Sequence, residues 1–202
     1  MTSTQHFGQG RSLLLTFDDG PEPGGALESI LSTLAQHGIS SEFYVIGMEV
    51  KNSPEKAKSI VTRGHKIQNH SWSHINLATA PEAEVRSQVE KTQAAIKDAT
   101  GITATKVRPP YGAGGWPKKY DPELAHVAAA LSLKIENWDI DTEDWKAPQG
   151  IGEPKIENVH RQLLASKLSR LIVLMHVQPG TARDLPHFIA KLKGWGFAFA
   201  RP

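Results

Sequence analysis

The succession of apolar and polar positions along the chain predicts strands and helices in regular alternation. Residues 12–17 are a short apolar run that an Asp-Asp-Gly-Pro turn ends, which is typical of a buried strand. Between residues 26 and 37 the apolar positions recur as one helix face, and Gly38 is placed to end that helix. The same reasoning predicts further strands at 42–46, 65–68, 106–108, 134–138, 170–175 and 197–200, and further helices at 53–64, 79–101, 121–131, 156–166 and 185–195.

About seven strands that alternate with helices indicate a parallel sheet, because parallel strands need a crossover connection. Seven such units suit a closed or nearly closed β/α barrel. An open doubly wound sheet is the alternative, although no Gly-x-Gly-x-x-Gly follows the first strand. We find no internal repeat and no linker, so we predict a single domain over residues 1–202. At the helix that begins near residue 79, Thr79 and Glu82 are spaced as a capping box.

Composition narrows the class of protein. With 202 residues, 39% hydrophobic and 22% charged, the chain is typical of a globular domain. A formal net charge of +2 gives no reason to expect a nucleic-acid partner, and no window approaches the roughly 20 apolar residues of a membrane span. The absence of cysteine excludes disulfides and thiolate metal ligands. The N-terminus lacks a basic start followed by an apolar core, so we expect no secretory signal in this chain.

Polar residues of catalytic type follow the predicted strands rather than being scattered along the chain. In a parallel β/α barrel these positions meet at one rim, where active sites are built. In chain order the residues are Asp18, Asp19, His70, His74, Arg108, Tyr111, Asp141, Asp144, Trp145 and His176.

The spacing His70-x-x-x-His74 places two imidazoles close enough to share a metal ion, although two unrelated histidines in a polar loop would look the same. The neighbouring carboxylates of Asp18 and Asp19 favour the interpretation as a metal site. A bound dication would neutralise Asp19 as a third ligand and leave Asp18 beside it as a base. Two imidazoles and one carboxylate suit a catalytic zinc, and the same donors also describe non-haem iron.

The candidate residues lie in five short motifs, which are Thr16-Phe-Asp-Asp-Gly-Pro21, His70-Ser-x-x-His74, Arg108-Pro-Pro-Tyr-Gly112, Asp141-x-x-Asp144-Trp145 and Leu174-x-His176. These motifs resemble those of the polysaccharide deacetylases, the NodB-homology group or carbohydrate esterase family 4. They occur in the family's order and span most of the chain. The resemblance implies a distorted (β/α)₇ barrel and metal-dependent removal of acetyl groups from sugars.

The resemblance also implies a role for each motif residue. The metal ligands it implies are Asp19, His70 and His74. The general base would be Asp18, oriented by Arg108, and the general acid would be His176, tuned by Asp141. The implied substrate contacts are the backbone N–H of Tyr111 at the oxyanion and a pocket wall of Trp145 and Leu174. Independently of the family, Trp116 in GAGGWPKK is a candidate for stacking on a sugar ring, with local packing as the alternative.

Together with the candidate residues, the resemblance implies a metal-dependent hydrolase, with zinc as the favoured divalent metal, that removes N-acetyl groups from N-acetylglucosamine-containing glycans such as chitin oligomers or peptidoglycan. An O-acetyl esterase acting on acetylated xylan would use the same chemistry. An iron oxygenase is disfavoured because it needs neither the base nor the acid. A non-catalytic glycan-binding relative is disfavoured because it has no need of the complete set. An acetylated glycan as substrate predicts a secreted or cell-envelope location.

Overall fold

The computed structural model describes residues 6–22 and 24–202. The strands are β1 (Ser12–Asp18), β2 (Glu42–Val45), β3 (Lys66–Asn69), β4 (Lys106–Val107), β5 (Gly115–Trp116), β6 (Lys119–Tyr120), β7 (Lys134–Ile135), β8 (Ile140–Asp141), β9 (Arg170–His176) and β10 (Ala198–Phe199). The helices are α1 (Ala26–His37), α2 (Gly47–Asn52), α3 (Pro54–Thr62), α4 (Glu82–Thr100), α5 (Pro122–Ala130), α6 (Glu153–Ala165) and α7 (Pro179–Gly194). None of the helices in this part of the chain combines the length and the hydropathy that a membrane span requires.

Contacts divide the chain into two compact units. Unit 1 contains the described residues up to Phe17 together with Gly24–Glu42 and Trp138–Pro202. Unit 2 contains the described residues of Asp18–Pro23 together with Phe43–Asn137. The prediction of a single domain stays a prediction.

In unit 1 the strands lie in the order β10, β1, β9 and β8, and the pairs β1–β10 and β8–β9 are parallel. The predicted apolar face of α1 is buried, and α1 packs against α7. Gly38 ends α1 with a φ of 64°, and its N–H donates to the carbonyl of Ala35. A left-handed residue at this position is the conformation that glycine adopts without a steric cost, as the sequence predicts.

In unit 2 the strands lie in the order β7, β4, β3 and β2, and the pairs β3–β4 and β4–β7 are parallel. One face of α4 and one face of α5 close over β4 and form an apolar core. Its buried members are Leu77, Val85, Val89, Val107, Leu124, Val127, Ala128 and Leu133. The core contains Val107 of β4, and β3 pairs with β4 in parallel, so the carboxyl ends of these strands, which are followed by His70 and Arg108, lie side by side.

Several local features differ from the sequence prediction, among them the strand β8, which was not predicted. Thr79 and Glu82 do not form a capping box: the N-cap of α4 is Pro81, and the Thr79 hydroxyl donates instead to the carbonyl of Asn76 within a 3₁₀ turn. Helix α7 begins at Pro179, six residues before the predicted start, because proline at the first helical position costs no hydrogen bond. The hairpin β5–β6 and the short helix α2 were not predicted.

His65 makes the stability of unit 2 depend on pH. The imidazole is buried with its edge against Phe43, and burial, assisted by the charge of Arg63, lowers its pKa from 6.5 to about 4. The folded state therefore keeps His65 neutral while the unfolded chain protonates, so stability is complete above pH 6.5 and falls as the pH drops towards 4. We expect the wild type to lose about 3 kcal/mol more than His65→Gln between neutral pH and pH 4. Urea unfolding at several pH values measures this difference, and parallel curves for the two proteins would contradict it.

Candidate active site

Two carboxylates stand where β1 ends. Asp18 is the last residue of the strand and is buried, whereas Asp19 leaves it with a φ of 77°. The N–H of Asp19 donates to the carbonyl of Tyr44 on β2 (3.1 Å), which holds this conformation in place. A non-glycine residue in the left-handed region costs free energy, and such residues cluster at functional sites. The two neighbouring side chains consequently point in different directions from one strand end.

The two histidines lie in the loop that follows β3. His70 is buried, and its Nδ1 lies 2.7 Å from the carbonyl oxygen of Arg108, which can only accept, so Nδ1 carries the proton. Its Nε2 then has the lone pair that a metal needs. His74 has a φ of 58°, and its N–H donates to Oγ of Ser71 (3.1 Å).

Gln88 on α4 fixes the loop between the two histidines. Its Oε1 accepts the N–H groups of Trp72 and Ser73, each at 2.9 Å. Asn69 adds an acceptor for the N–H of Ser71 at 3.0 Å. Neither Asn69 nor Gln88 belongs to the residues that the sequence pattern indicates for the site. A buried amide on the apolar face of α4 was the one available signal for Gln88.

The structure brings the three predicted metal ligands together. Nε2 of His70 and Nε2 of His74 lie 3.5 and 3.3 Å from Oδ1 of Asp19, and the candidate ligand atoms are all within 4.8 Å of one another. In the described part of the chain, Oδ1 of Asp19 is buried without a hydrogen-bond partner. A buried carboxylate oxygen is costly unless something satisfies it. One carboxylate oxygen and two imidazole nitrogens that lie this close together are a ligand set that fits a divalent metal ion.

Removing one ligand should weaken metal binding strongly. We expect His74→Ala to lower zinc affinity at least about 100-fold, because loss of even an indirect supporting contact typically costs 10- to 100-fold. Competition with a chromogenic chelator on the metal-stripped protein measures the affinity. His187→Ala is the matched control, because His187 is exposed and pairs with Glu153. Equal affinity of His74→Ala and the control would contradict the proposed ligand set.

Asp18 forms a buried ion pair with Arg108. Nη1 of Arg108 donates to Oδ1 of Asp18 at 2.7 Å, and both side chains are almost completely inaccessible. Burial alone would lower the pKa of Arg108, but the charge of Asp18 and the hydrogen bond to it outweigh burial and raise that pKa. The second oxygen of Asp18, Oδ2, lies 3.7 Å from Nε2 of His70. The ion pair thus aims one carboxylate oxygen at the metal ligands, as expected of a base beside a metal.

The motif that contains Arg108 continues into an exposed turn. Tyr111 has a φ of 61°, its ring packs edge-on against His74 (4.8 Å between centroids), and two-thirds of the residue is exposed. Trp116 lies on β5 and is also exposed, where it pairs with Lys119 of β6. Both aromatic side chains therefore have faces that a ligand can reach.

His176 and Asp144 form a second polar group, in unit 1. His176 ends β9, and its Nδ1 lies 2.7 Å from Oδ1 of Asp144. The other oxygen of Asp144 accepts the N–H of His176 (2.8 Å) and the hydroxyl of Thr181 (2.5 Å). Nε2 of Gln178 donates to the carbonyl of Asp144 (2.8 Å). A fully buried carboxylate with this set of donors orients the imidazole of His176.

The family resemblance implies that Asp141 tunes His176, whereas the carboxylate that is hydrogen-bonded to the imidazole of His176 is that of Asp144. Oδ1 of Asp141 accepts the N–H of Glu143 (2.8 Å), and burial is the main cause of its raised pKa. Glu143 has a φ of 54°, a tight turn that returns the chain so that Asp144 meets the end of β9. The charge of His176 opposes this rise and lowers the pKa of Asp141.

The two predicted wall residues of unit 1 differ in exposure. Leu174 is buried in β9, beside Asp141 of β8 in the parallel register. Half of Trp145 is exposed, and Nζ of Lys146 lies 5.2 Å from its ring centroid. Trp145 therefore offers an aromatic face at the surface, whereas Leu174 contributes to the interior.

Comparison with known proteins identifies relatives over almost the whole chain. The family model described as polysaccharide deacetylase matches residues 8–135. The peptidoglycan-N-acetylglucosamine deacetylase PgdA of Listeria monocytogenes is 37% identical over 191 residues, which are 94% of this chain and 37% of that protein. A chitooligosaccharide deacetylase of Bradyrhizobium is 32% identical, over 86% of this chain and 75% of the relative. The chain thus spans little more than a third of the length of the Listeria protein.

Solved structures share the fold. A family 4 carbohydrate esterase from Streptomyces lividans, in complex with acetate, superposes with a TM-score of 0.78 at 29% identity, over 94% of this chain and 92% of that one. A family 4 pseudoenzyme from Bacillus anthracis superposes with a TM-score of 0.79 at 28% identity, over 95% and 63%. These similarities confirm the predicted α/β fold class, a distorted (β/α)₇ barrel of NodB-homology type.

Proposed function

Because the chain belongs to the polysaccharide deacetylase family, we propose that it is a zinc-dependent hydrolase that removes N-acetyl groups from N-acetylglucosamine-containing glycans. The observation that carries this proposal is the placement of Asp18. Its carboxylate is held by a buried arginine and lies beside a carboxylate and two imidazoles that fit a metal ion. A base next to a metal site is what hydrolysis of an unreactive amide requires.

In this proposal Asp19, His70 and His74 hold the zinc ion. When bound, zinc acts as a Lewis acid on the acetyl carbonyl and makes water a better nucleophile. Asp18 accepts the proton of the attacking water at Oδ2, because Oδ1 is engaged by Arg108. Oxygen bonds to the carbonyl carbon, the carbon–nitrogen bond breaks, and acetate and a free amine are released.

The remaining roles follow the family motifs and the local geometry. His176 protonates the departing amine from Nε2, since Nδ1 bonds to Asp144. We assign the orientation of this imidazole to Asp144 rather than Asp141. The N–H of Tyr111 is proposed to donate to the oxyanion, a contact that typically contributes about 3–4 kcal/mol.

The proposed substrate contacts are apolar and aromatic. Leu174 and Trp145 would form the wall that receives the acetyl methyl, and Trp116 would stack on a sugar ring. The substrate class rests on relatives named for peptidoglycan N-acetylglucosamine and for chitooligosaccharides. Since peptidoglycan is a cell-wall glycan, we propose a location in the cell envelope or outside the cell.

Acetate release tests the proposal directly. Metal-stripped and zinc-reconstituted protein are incubated with N-acetylglucosamine oligomers and with peptidoglycan glycan strands, and free acetate is measured. Acetate that appears only after zinc addition supports the proposal. Release from acetylated xylan alone would replace it with an O-acetyl esterase. Glycan binding without acetate from any of the three substrates would replace it with a binding protein, as the structural likeness to a pseudoenzyme requires us to test.

A further inference from the structure

Arg108 is held by more than its ion pair with Asp18. Its Nε donates to the backbone carbonyl of Glu136 (3.1 Å), and its Nη2 donates to that of Asn137 (3.2 Å). The ring of Tyr44 lies across the face of the guanidinium, with Cζ 3.9 Å from the ring centroid. The two carbonyl acceptors fix the direction in which the guanidinium of Arg108 points, and the ring of Tyr44 fixes the plane of that guanidinium. Neither Tyr44 nor Glu136 received a role in the sequence analysis.

Tyr44 is in turn held by a carboxylate. Its buried hydroxyl donates to Oε2 of Glu136 at 3.0 Å. The same oxygen accepts from Nζ of Lys106 (2.7 Å), and Oε1 accepts from Nζ of Lys134 (2.5 Å). Burial alone would raise the pKa of Glu136, but the hydrogen bonds from the two lysines lower it to about 2. Glu136 therefore stays an ionised acceptor for Tyr44 throughout the neutral range.

The hydroxyl of Tyr44 distinguishes this arrangement from ordinary core packing. A phenyl ring would cover Arg108 equally well, whereas a buried hydroxyl and a buried carboxylate are costly unless they are paired. The pair fixes the rotation of the ring about its own axis and ties it to β7 through Lys134. The contacts then continue without a gap from Glu136 through Tyr44 and Arg108 to Asp18.

We propose that Tyr44 and Glu136 are positioning residues for the Asp18 base and that they act through Arg108. This inference rests on the proposed function. Proton transfer depends steeply on geometry, and a displacement of about 1 Å can lower a rate about 100-fold. A substitution of Tyr44 or Glu136 that lets the guanidinium of Arg108 move should therefore lower kcat. It should leave KM and zinc affinity unchanged, because neither residue is among the proposed substrate contacts or metal ligands.

The test uses the zinc-loaded full chain and N-acetylglucosamine oligomers. Tyr44→Leu should lower kcat about tenfold or more, with KM and zinc affinity within twofold of wild type. Tyr44→Phe keeps the ring and should restore most of the rate, leaving a loss of about threefold. Glu136→Gln should lower kcat by a similar factor. The double variant Tyr44→Phe with Glu136→Gln should lower kcat little more than either change alone, because both changes remove the same hydrogen bond. Thr92→Val is the matched control, since it removes a buried hydroxyl that donates only to the backbone carbonyl of Gln88 on the same helix and not to the Gln88 side chain.

Each outcome decides the question. A fall in kcat for Tyr44→Phe no larger than for Thr92→Val at equal melting temperature would overturn the proposal, as would a rise in KM in place of the fall in kcat. If the wild type releases no acetate, the proposed function fails, and NMR of the Nε–H of Arg108 decides the positioning claim by itself. Faster solvent exchange of that proton in Tyr44→Phe than in wild type supports it, and an unchanged exchange rate overturns it.

Discussion

Replacing Asp18 by Asn is expected to lower kcat for acetate release about 10³-fold or more, because a general base typically contributes 10²- to 10⁴-fold. The amide cannot accept the proton of the attacking water. Its carbonyl oxygen can still accept from Nη1 of Arg108, so this hydrogen bond should be kept, although the buried cation loses its counter-charge and the variant should be less stable than wild type. Steady-state kinetics of the zinc-loaded variant measure the loss, and KM should change only a few-fold.

Asp139→Asn is the matched control for this change. Asp139 is exposed and accepts the N–H of Ile172, which an amide oxygen can also accept. The control should keep full activity. If Asp18→Asn retained more than a tenth of the wild-type kcat, another group would have to be the base, and Asp18 would be reduced to supporting Arg108.

Replacing Arg108 by Met is expected to lower the free energy of unfolding by about 3–5 kcal/mol, because removing one partner of a buried ion pair leaves an uncompensated charge. Asp18 is almost completely buried and would lose the cation that now lies 2.7 Å away. The carbonyls of Glu136 and Asn137 would also lose their donor. Urea unfolding near neutral pH measures the change.

The double variant Asp18→Asn with Arg108→Met separates the charge from the packing. With both charges removed, part of the lost stability should return, and the coupling between the two sites should exceed about 1 kcal/mol. Arg161→Met, an exposed arginine on α6, should change stability by less than about 0.5 kcal/mol. A loss for Arg108→Met as small as for this control would mean that the ion pair between Asp18 and Arg108 contributes no net stability.

The three residues proposed as metal ligands could be selected from the sequence because they lie in two short motifs, and the structure places their ligand atoms within 4.8 Å of one another. Asp19 follows a strand that an apolar run defines, and His70 and His74 are four residues apart in one loop. Short spacing restricts where such side chains can point, and the motif order identifies the family. The helix face of α1 was predictable for the same reason, since its periodicity is a property of neighbouring residues.

The carboxylate that is hydrogen-bonded to the imidazole of His176 could not be predicted from motif spacing. Asp141 and Asp144 lie in one motif, and either could bond an imidazole. The choice depends on the turn at Glu143 and on the donors that Thr181 and the backbone of β9 direct at Asp144. Those donors come from segments more than thirty residues away.

The sequence by itself determined the alternation of strands and helices and the family, and it indicated the candidate site residues. Only the tertiary structure decided how the charges are held. Tyr44 and Glu136 are 92 residues apart and resemble ordinary core and surface positions until folding places the hydroxyl on the carboxylate. The physical reason is the separation in sequence of the residues that interact. Periodicity and motif spacing report contacts between residues that are close in the chain. The ion pair of Asp18 and Arg108, the ring of Tyr44 and the backbone acceptors around Arg108 join strands that meet only in the folded sheet.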